Sequence, residues 1–290
     1  MILKELVLRD FYPFLADSDA RVTVCLQNSF SEGDCSGGGI LTSGKRPALV
    51  VCPGGAYRKV SEREGEPVAL AFAPLGFQLV LLRYSVAPAR YPTQLLELAA
   101  ALELLCRNAD AWSIDKAHIT LAGFSAGGHL VSSYCTMRDR QEITQHLQPV
   151  EVFAAILGYP VITAEPFSHL NSFRNLLGVE ELTDELVNLF STDRHVRRGL
   201  TPQTFLWHCE GDRNVDVRNS LLYRAALQAQ GIPCRCRIFK NGRHGLSTAD
   251  CQSVHDFDTA EMKEIHGWIA EASEWLREIG ACYNGGDYRK

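Results

Sequence analysis

Two short segments near the start, Ile2 to Leu8 and Val22 to Leu26, alternate apolar and polar residues and are separated by Pro13 and acidic turns. That pattern suits antiparallel strands at one edge of a sheet. The pattern then changes: Pro47-Ala48-Leu49-Val50-Val51-Cys52 and Gln78-Leu79-Val80-Leu81-Leu82-Arg83 are continuous apolar runs. Strands look like this when both faces are covered. A helical stretch around Pro67 to Phe72 separates them, and Leu95 to Leu105 carries a broad apolar helical face. Further short runs follow at His118 to Ala122, Phe153 to Leu157, Thr204 to His208 and Cys236 to Phe239, with helical segments at Gly128 to Tyr134, Ser220 to Gln230 and Thr259 to Glu278. Strands alternating with helices over this length predict an α/β fold. Its central sheet is mostly parallel, with helices on both faces, antiparallel N-terminal strands, and ligands at the carboxyl ends of the strands.

A chain of 290 residues in this pattern reads as a single domain, 1–290. The rhythm breaks between Glu165 and Gly199, where two short helical candidates around Leu176 and Leu186 stand between strands that a shorter link could join. This segment, about 165–199, is expected to be a small helical insertion covering the site. Ser36 to Gly39 with Thr42 to Arg46 is a polar, glycine-rich break that matches no phosphate-binding motif. No repeat or low-complexity tract is present, and Asn284 to Lys290 reads as a disordered tail.

Charge narrows the function classes. The net charge is -5 and the charged residues are scattered, so nothing invites nucleic acid. No apolar run approaches membrane-spanning length, and charge enters too early in Met1-Ile2-Leu3-Lys4-Glu5-Leu6 for a secretory signal, so a cytoplasmic location is expected. Ten cysteines have the count of a disulfide framework, yet Cys52, Cys106, Cys135 and Cys209 sit in apolar strands or helices, where a free thiol packs as a small hydrophobe. They read as reduced. Cys234 and Cys236 have no second pair to complete a zinc site, and His255 and His266 with Glu264 do not form H-E-x-x-H, so no metal is expected.

The candidate chemistry centres on Gly123-Phe124-Ser125-Ala126-Gly127, which fits the G-x-S-x-G pattern and lies between a strand and a helix. Lifting a serine onto so sharp a turn strains the backbone, and only glycine at the flanks avoids collisions with the neighbouring strand and helix. A serine hydroxyl needs a histidine to take its proton and a carboxylate to fix that histidine's tautomer. In α/β-hydrolases the order along the chain is Ser, then Asp or Glu, then His. After the strand Thr204 to His208 come Glu210, Gly211 and Asp212; after the strand ending at Phe239 comes Asn241-Gly242-Arg243-His244-Gly245. His244 is the base expected by position. Asp212 is favoured as the acid because Glu210 is nearly still in its strand and Asp216 is placed to cap the next helix; Glu210 and Asp216 stay as alternatives. For the oxyanion, Ala126 offers one backbone N–H and Gly54-Gly55-Ala56 offers the others, since small residues let the backbone approach closely.

These blocks resemble the α/β-hydrolase esterases that include bacterial acetyl esterases and acetyl xylan esterases. The resemblance rests on Pro53-Gly54-Gly55-Ala56-Tyr57, Arg83-Tyr84-Ser85-Val86-Ala87-Pro88, Gly123-Phe124-Ser125-Ala126-Gly127-Gly128-His129-Leu130, Tyr159-Pro160-Val161 and Gly242-Arg243-His244-Gly245-Leu246, in order from about residue 20 to about residue 250. Two positions depart from the pattern: the usual third glycine of the early loop is Ala56, and Asp216 stands where relatives often have proline. The resemblance implies an α/β-hydrolase fold and a serine esterase in which Ser125, His244 and Asp212 form a triad and Gly55, Ala56 and Ala126 hold the oxyanion. It implies a short acyl group and a sugar hydroxyl as the alcohol, so the expected substrate is a small ester such as an acetylated sugar or xylo-oligosaccharide. No cofactor is required. Tyr57 and Trp207 are candidate walls of the substrate pocket, with core packing an equal alternative for Trp207, and a homo-oligomer is left open. The alternatives are a general short-chain carboxylesterase or lactonase, and a catalytically silent hydrolase-fold binding protein, which a missing triad member would favour. A peptidase is weaker, because the chain is too short for the β-propeller of prolyl-oligopeptidase relatives.

Overall fold

The structure is a computed structural model that describes residues 1–27 and 44–282. Ser36 to Gly39, the first part of Thr42 to Arg46, and the tail Asn284 to Lys290 lie outside the described residues. Eight strands form one sheet: β1 (Ile2–Val7), β2 (Arg21–Leu26), β3 (Arg46–Cys52), β4 (Gln78–Arg83), β5 (Ile114–Phe124), β6 (Ala154–Gly158), β7 (Gln203–Cys209) and β8 (Cys234–Phe239). Their order across the sheet is β1-β2-β4-β3-β5-β6-β7-β8. β1 pairs antiparallel with β2 and β2 antiparallel with β4; every other pairing is parallel. The alternating N-terminal segments thus form the antiparallel edge and the continuous apolar runs form the parallel centre, as their patterns predict. This is the α/β-hydrolase architecture.

Both faces of the central strands are buried because helices cover each side. α1 (Glu66–Phe72), α8 (Ala260–His266) and α9 (Trp268–Glu278) pack with Leu49, Val51, Ile156 and Phe205 on one face. α2 (Thr93–Arg107), α3 (Ala126–Met137) and α7 (Arg218–Ala229) pack with Ala48, Val50, Leu157 and Leu206 on the other. The single helix expected over Thr259 to Glu278 is two, divided at Gly267. A short helix, α4 (Gln141–Thr144), follows α3, and α5 (Leu170–Leu177) and α6 (Asp184–Phe190) occupy the segment read as an insertion. Among the described residues the cysteines are unpaired thiols, and no helix is long and apolar enough to cross a membrane.

The sheet order places the site. The chain runs outward from β3 to β4, then returns past β3 to β5, so the connections leaving β3 and β5 diverge to opposite sides. A crevice opens at the carboxyl ends of strands where the order reverses. Here those ends carry Gly54-Gly55-Ala56 after β3 and Ser125 after β5.

Candidate active site

Ser125 stands between β5 and α3 with φ 52° and ψ −120°, backbone angles that a non-glycine residue adopts only under constraint. The constraint comes from both sides: its N–H donates to Gly158 O at 3.1 Å, and its own carbonyl accepts from Val161 N–H at 3.0 Å. The flanking glycines let the turn close. A Cβ on Gly123 would lie 2.5 Å from Gly127 O, and one on Gly127 would lie 2.1 Å from Cys52 O, distances no side chain tolerates.

The Ser125 hydroxyl lies 2.8 Å from His244 Nε2, and His244 Nδ1 lies 2.6 Å from Asp212 Oδ2. A carboxylate only accepts, so Nδ1–H donates to Asp212 and Nε2 is left to accept from the serine hydroxyl. Asp212 is itself held: Oδ1 accepts from the N–H groups of Asn214 at 2.8 Å and Val215 at 2.9 Å. On its other oxygen, the buried His208 presents Nε2 at 3.3 Å while also donating to Val215 O at 2.9 Å. Burial raises the pKa of Asp212, but the hydrogen bonds from His208, His244 and Val215 outweigh it, and the net result lies well below the usual carboxylate range. The other two acids considered from sequence are elsewhere. Asp216 accepts from Arg218 N–H at 2.8 Å and pairs with its guanidinium at the start of α7, and Glu210 is exposed.

Gly55, Ala56, Ser125 and His244 line one cleft of about 670 Å³. After β3 the backbone takes left-handed or extended-positive angles at Gly55 (φ 126°), Ala56 (φ 58°) and Tyr57 (φ 55°). The turn is closed by Arg58 and Lys59 N–H groups returning to Gly55 O, both at 3.1 Å, and by Asn175 of α5 donating to Ala56 O at 2.8 Å. Ala126 begins α3, so its N–H has no intrahelical acceptor and is free for a ligand at the helix start.

Two wall residues expected from sequence are not on the cleft. Trp207 is fully buried in β7 on the sheet face covered by α9, with its ring stacked on Trp268 at 5.0 Å. Strand alternation turns His208 to the site and Trp207 away from it. Tyr57 is also buried, and its hydroxyl lies 2.9 Å from His129 Nδ1 instead of facing the cleft. Two residues the sequence reading passed over take part. His169, at the start of α5, lines the cleft and has its pKa lowered by burial and by the neighbouring His244. Glu64 is buried against the early loop, where Oε2 accepts from Gly54 N–H at 2.9 Å and Oε1 from Tyr159 OH at 2.8 Å. No spacing marks either one: Glu64 sits between Glu62 and Glu66, and His169 lies in the segment that breaks the strand–helix rhythm. Among the described residues no group of three or more His, Cys, Asp or Glu side chains is placed to hold a metal ion.

The family model BD-FAE matches residues 41–227. The chain is 32% identical over 214 residues to endo-1,4-beta-xylanase B of Butyrivibrio fibrisolvens, an overlap of 71% of this chain and 33% of that protein. It is 31% identical over 228 residues to the acetylxylan esterase of Xylanibacter ruminicola, covering 77% of this chain and 45% of that one. The chain therefore spans less than half the length of these curated relatives. Among solved structures, an acetyl ester-xyloside bifunctional hydrolase from Caldicellulosiruptor lactoaceticus superimposes with a TM-score of 0.76 at 31% identity, over 91% of this chain and 90% of that chain. A carboxylesterase from Lactobacillus plantarum gives a TM-score of 0.80 at 25% identity, over 98% of this chain and 100% of that chain.

Proposed function

The chain belongs to the BD-FAE family, and from that premise we propose that it is a serine-dependent carboxylic ester hydrolase that removes short acyl groups, acetyl foremost, from sugar hydroxyls such as those of xylo-oligosaccharides. The observation that carries the reading is the continuous hydrogen-bonded chain Ser125–His244–Asp212, with the serine oxygen opening onto the same cleft as Gly55 and Ala56. The acetyl and sugar preference is drawn from the relatives named as an acetylxylan esterase and an acetyl ester-xyloside hydrolase.

In this mechanism Ser125 Oγ attacks the ester carbonyl carbon as its proton passes to His244 Nε2, and the carbonyl electron pair moves onto oxygen. The N–H groups of Gly55, Ala56 and Ala126 hold that oxyanion. Collapse breaks the bond to the alcohol, which leaves with the proton from His244. Water then adds to the acyl-enzyme, giving its proton to the same histidine, and the carboxylic acid departs as Ser125 regains its hydrogen. Asp212, kept ionised by the polar groups around it, stabilises the imidazolium that forms twice per turnover. The chain acts as one domain, and the insertion at about 165–199 supplies His169 to the cleft.

The test is hydrolysis of a nitrophenyl ester series from acetyl to octanoyl, with Ser125→Ala beside the parent. Turnover is expected to be highest on acetyl, to fall with acyl length, and to drop on the order of 10⁶-fold in the variant. Acetylated xylo-oligosaccharides follow as the natural-type substrate. Absence of serine-dependent turnover on every ester would sink the reading, and a flat profile across acyl lengths would favour a general carboxylesterase.

A further inference from the structure

The charge distribution around the cleft is at odds with the molecule as a whole. The chain carries a net charge of -5, yet the loop between β3 and α1 lines the cleft with Arg58, Lys59 and Arg63. Among the described residues none of these three has a carboxylate within ion-pair distance. Of the two acids on the same wall, only Glu62 meets a cation outside the cleft, which leaves Glu64 as one acid against three cations. Glu62 is gripped by both terminal nitrogens of Arg83, at 2.6 and 2.5 Å, and Glu64 is buried under Gly54 N–H and Tyr159 OH. A second groove of about 530 Å³ shares Ala56, Arg58 and His169 with the cleft and adds Arg90 and Arg174. These two arginines donate to neutral oxygens, Arg90 to Asn175 O and Arg174 to Glu180 O and Asn171 Oδ1, so their charge is not cancelled by their partners. Glu180 is the one acid on that groove. Cations therefore run from the reacting serine out along the insertion.

We propose that this cleft selects esters that also carry a carboxylate, on either the acid or the alcohol portion, seated among Arg58, Lys59 and Arg63. The inference rests on the ester hydrolase reading and deepens it. A neutral acetylated sugar leaves these cations facing water. A carboxylate a few bonds from the scissile carbonyl reaches them while Ser125 holds the carbonyl. Clustered like charges along a concave cleft focus the field and raise the local concentration of counter-charged substrate, so the effect belongs mainly in KM and is salt-sensitive.

The experiment compares matched substrate pairs on the full chain. One arm places the carboxylate on the acid portion, nitrophenyl hemisuccinate against nitrophenyl butyrate. The other places it on the alcohol portion, acetylated glucuronate against acetylated xylose. In at least one arm kcat/KM is expected to favour the anionic member by about tenfold, with the preference shrinking severalfold in about 0.5 M salt, where the screening length falls to a few ångströms. The arm that shows it identifies which portion carries the charge. Replacing Arg58→Gln and Arg63→Gln together is expected to bring the ratio of anionic to neutral kcat/KM toward one, chiefly through KM for the anionic member. Both residues are exposed, so the variant keeps its fold. Serine-dependent turnover with no anionic preference in either arm overturns this inference and leaves the esterase reading standing. So does a preference that survives both the double substitution and added salt. Failure of Ser125 to support turnover of any of the four esters overturns both.

Discussion

Three carboxylates lie within seven residues after β7, and local geometry assigns them different work. Asp212 accepts three hydrogen bonds, one of them from His244, with His208 Nε2 a further 3.3 Å neighbour, whereas Asp216 spends both oxygens on Arg218 at the exposed start of α7. Asp212→Asn is expected to lower kcat by about 10⁴ with little change in fold, because an amide no longer fixes the histidine tautomer. Asp216→Ala is expected to leave kcat alone and to cost about 1 kcal/mol of stability, the worth of a lost side-chain bond to a helix start. Steady-state kinetics and urea unfolding of the two variants separate the roles; equal loss of kcat in both would contradict the assignment. His244 could be selected from nine histidines because its loop follows the last strand, a position visible in sequence. Tyr57 and Trp207 stand beside site residues in sequence, yet neither faces the cleft. The direction of a side chain depends on strand phase and on a partner such as Trp268 or His129, which lie 61 and 72 positions away in sequence and which local pattern does not reveal.

At the scale of elements, the helix that carries the serine is tied to both of its neighbours through one buried imidazole. His129 Nε2–H donates to Phe190 O at the end of α6 at 2.9 Å, its Nδ1 takes the Tyr57 hydroxyl, and its ring meets Phe173 of α5 edge-on at 5.0 Å. The apolar runs predicted α3 and the positions of α5 and α6, but this link joins segments whose separation in sequence carries no signal. Burial lowers the pKa of His129 from 6.5 to about 4, so the folded state holds it neutral where the unfolded chain already binds a proton. The sign follows: stability from this group is intact above about pH 6.5, is lost progressively as pH falls toward 4, and levels off below that. The loss amounts to about 3 kcal/mol. Urea unfolding at pH 7 and pH 4.5 is expected to show a larger fall in the parent than in His129→Gln, which keeps polar contacts but has no proton to gain. Equal falls would mean that the imidazole is not the titrating group.

Across the whole molecule, the loop proposed to hold the oxyanion and the histidine loop lie far apart in the chain and meet through a phenol from the middle. Tyr159, at the carboxyl end of β6, donates to Glu64 Oε1 at 2.8 Å and accepts from Ser247 N–H at 2.9 Å, while its ring lies edge-on to His244 with centroids 5.0 Å apart. Glu64 in turn holds Gly54 N–H, and Ser247 Oγ returns to Arg63 O, which closes a circuit around the cleft. Burial, reinforced by the Glu64 charge, pushes the Tyr159 phenol well above its ordinary pKa, so it remains a donor throughout the working range. The Tyr159-Pro160-Val161 block was visible as a point of family resemblance, yet its partner Glu64 was not, because a carboxylate among Glu62 and Glu66 acquires its role only when the sheet brings residue 159 to it. Removing only the hydroxyl tests whether the circuit sets geometry or merely fills space. Tyr159→Phe keeps the ring against His244 but strips the donor from a buried carboxylate and the acceptor from Ser247 N–H, at a cost of about 1–3 kcal/mol in unfolding free energy. If the circuit holds the two loops in register, kcat on a nitrophenyl acetate falls by more than tenfold while KM moves little, since misplacing a reacting group by an ångström weighs on the transition state more than on ground-state binding. A variant that loses stability yet keeps the parent kcat would reduce the circuit to a structural brace.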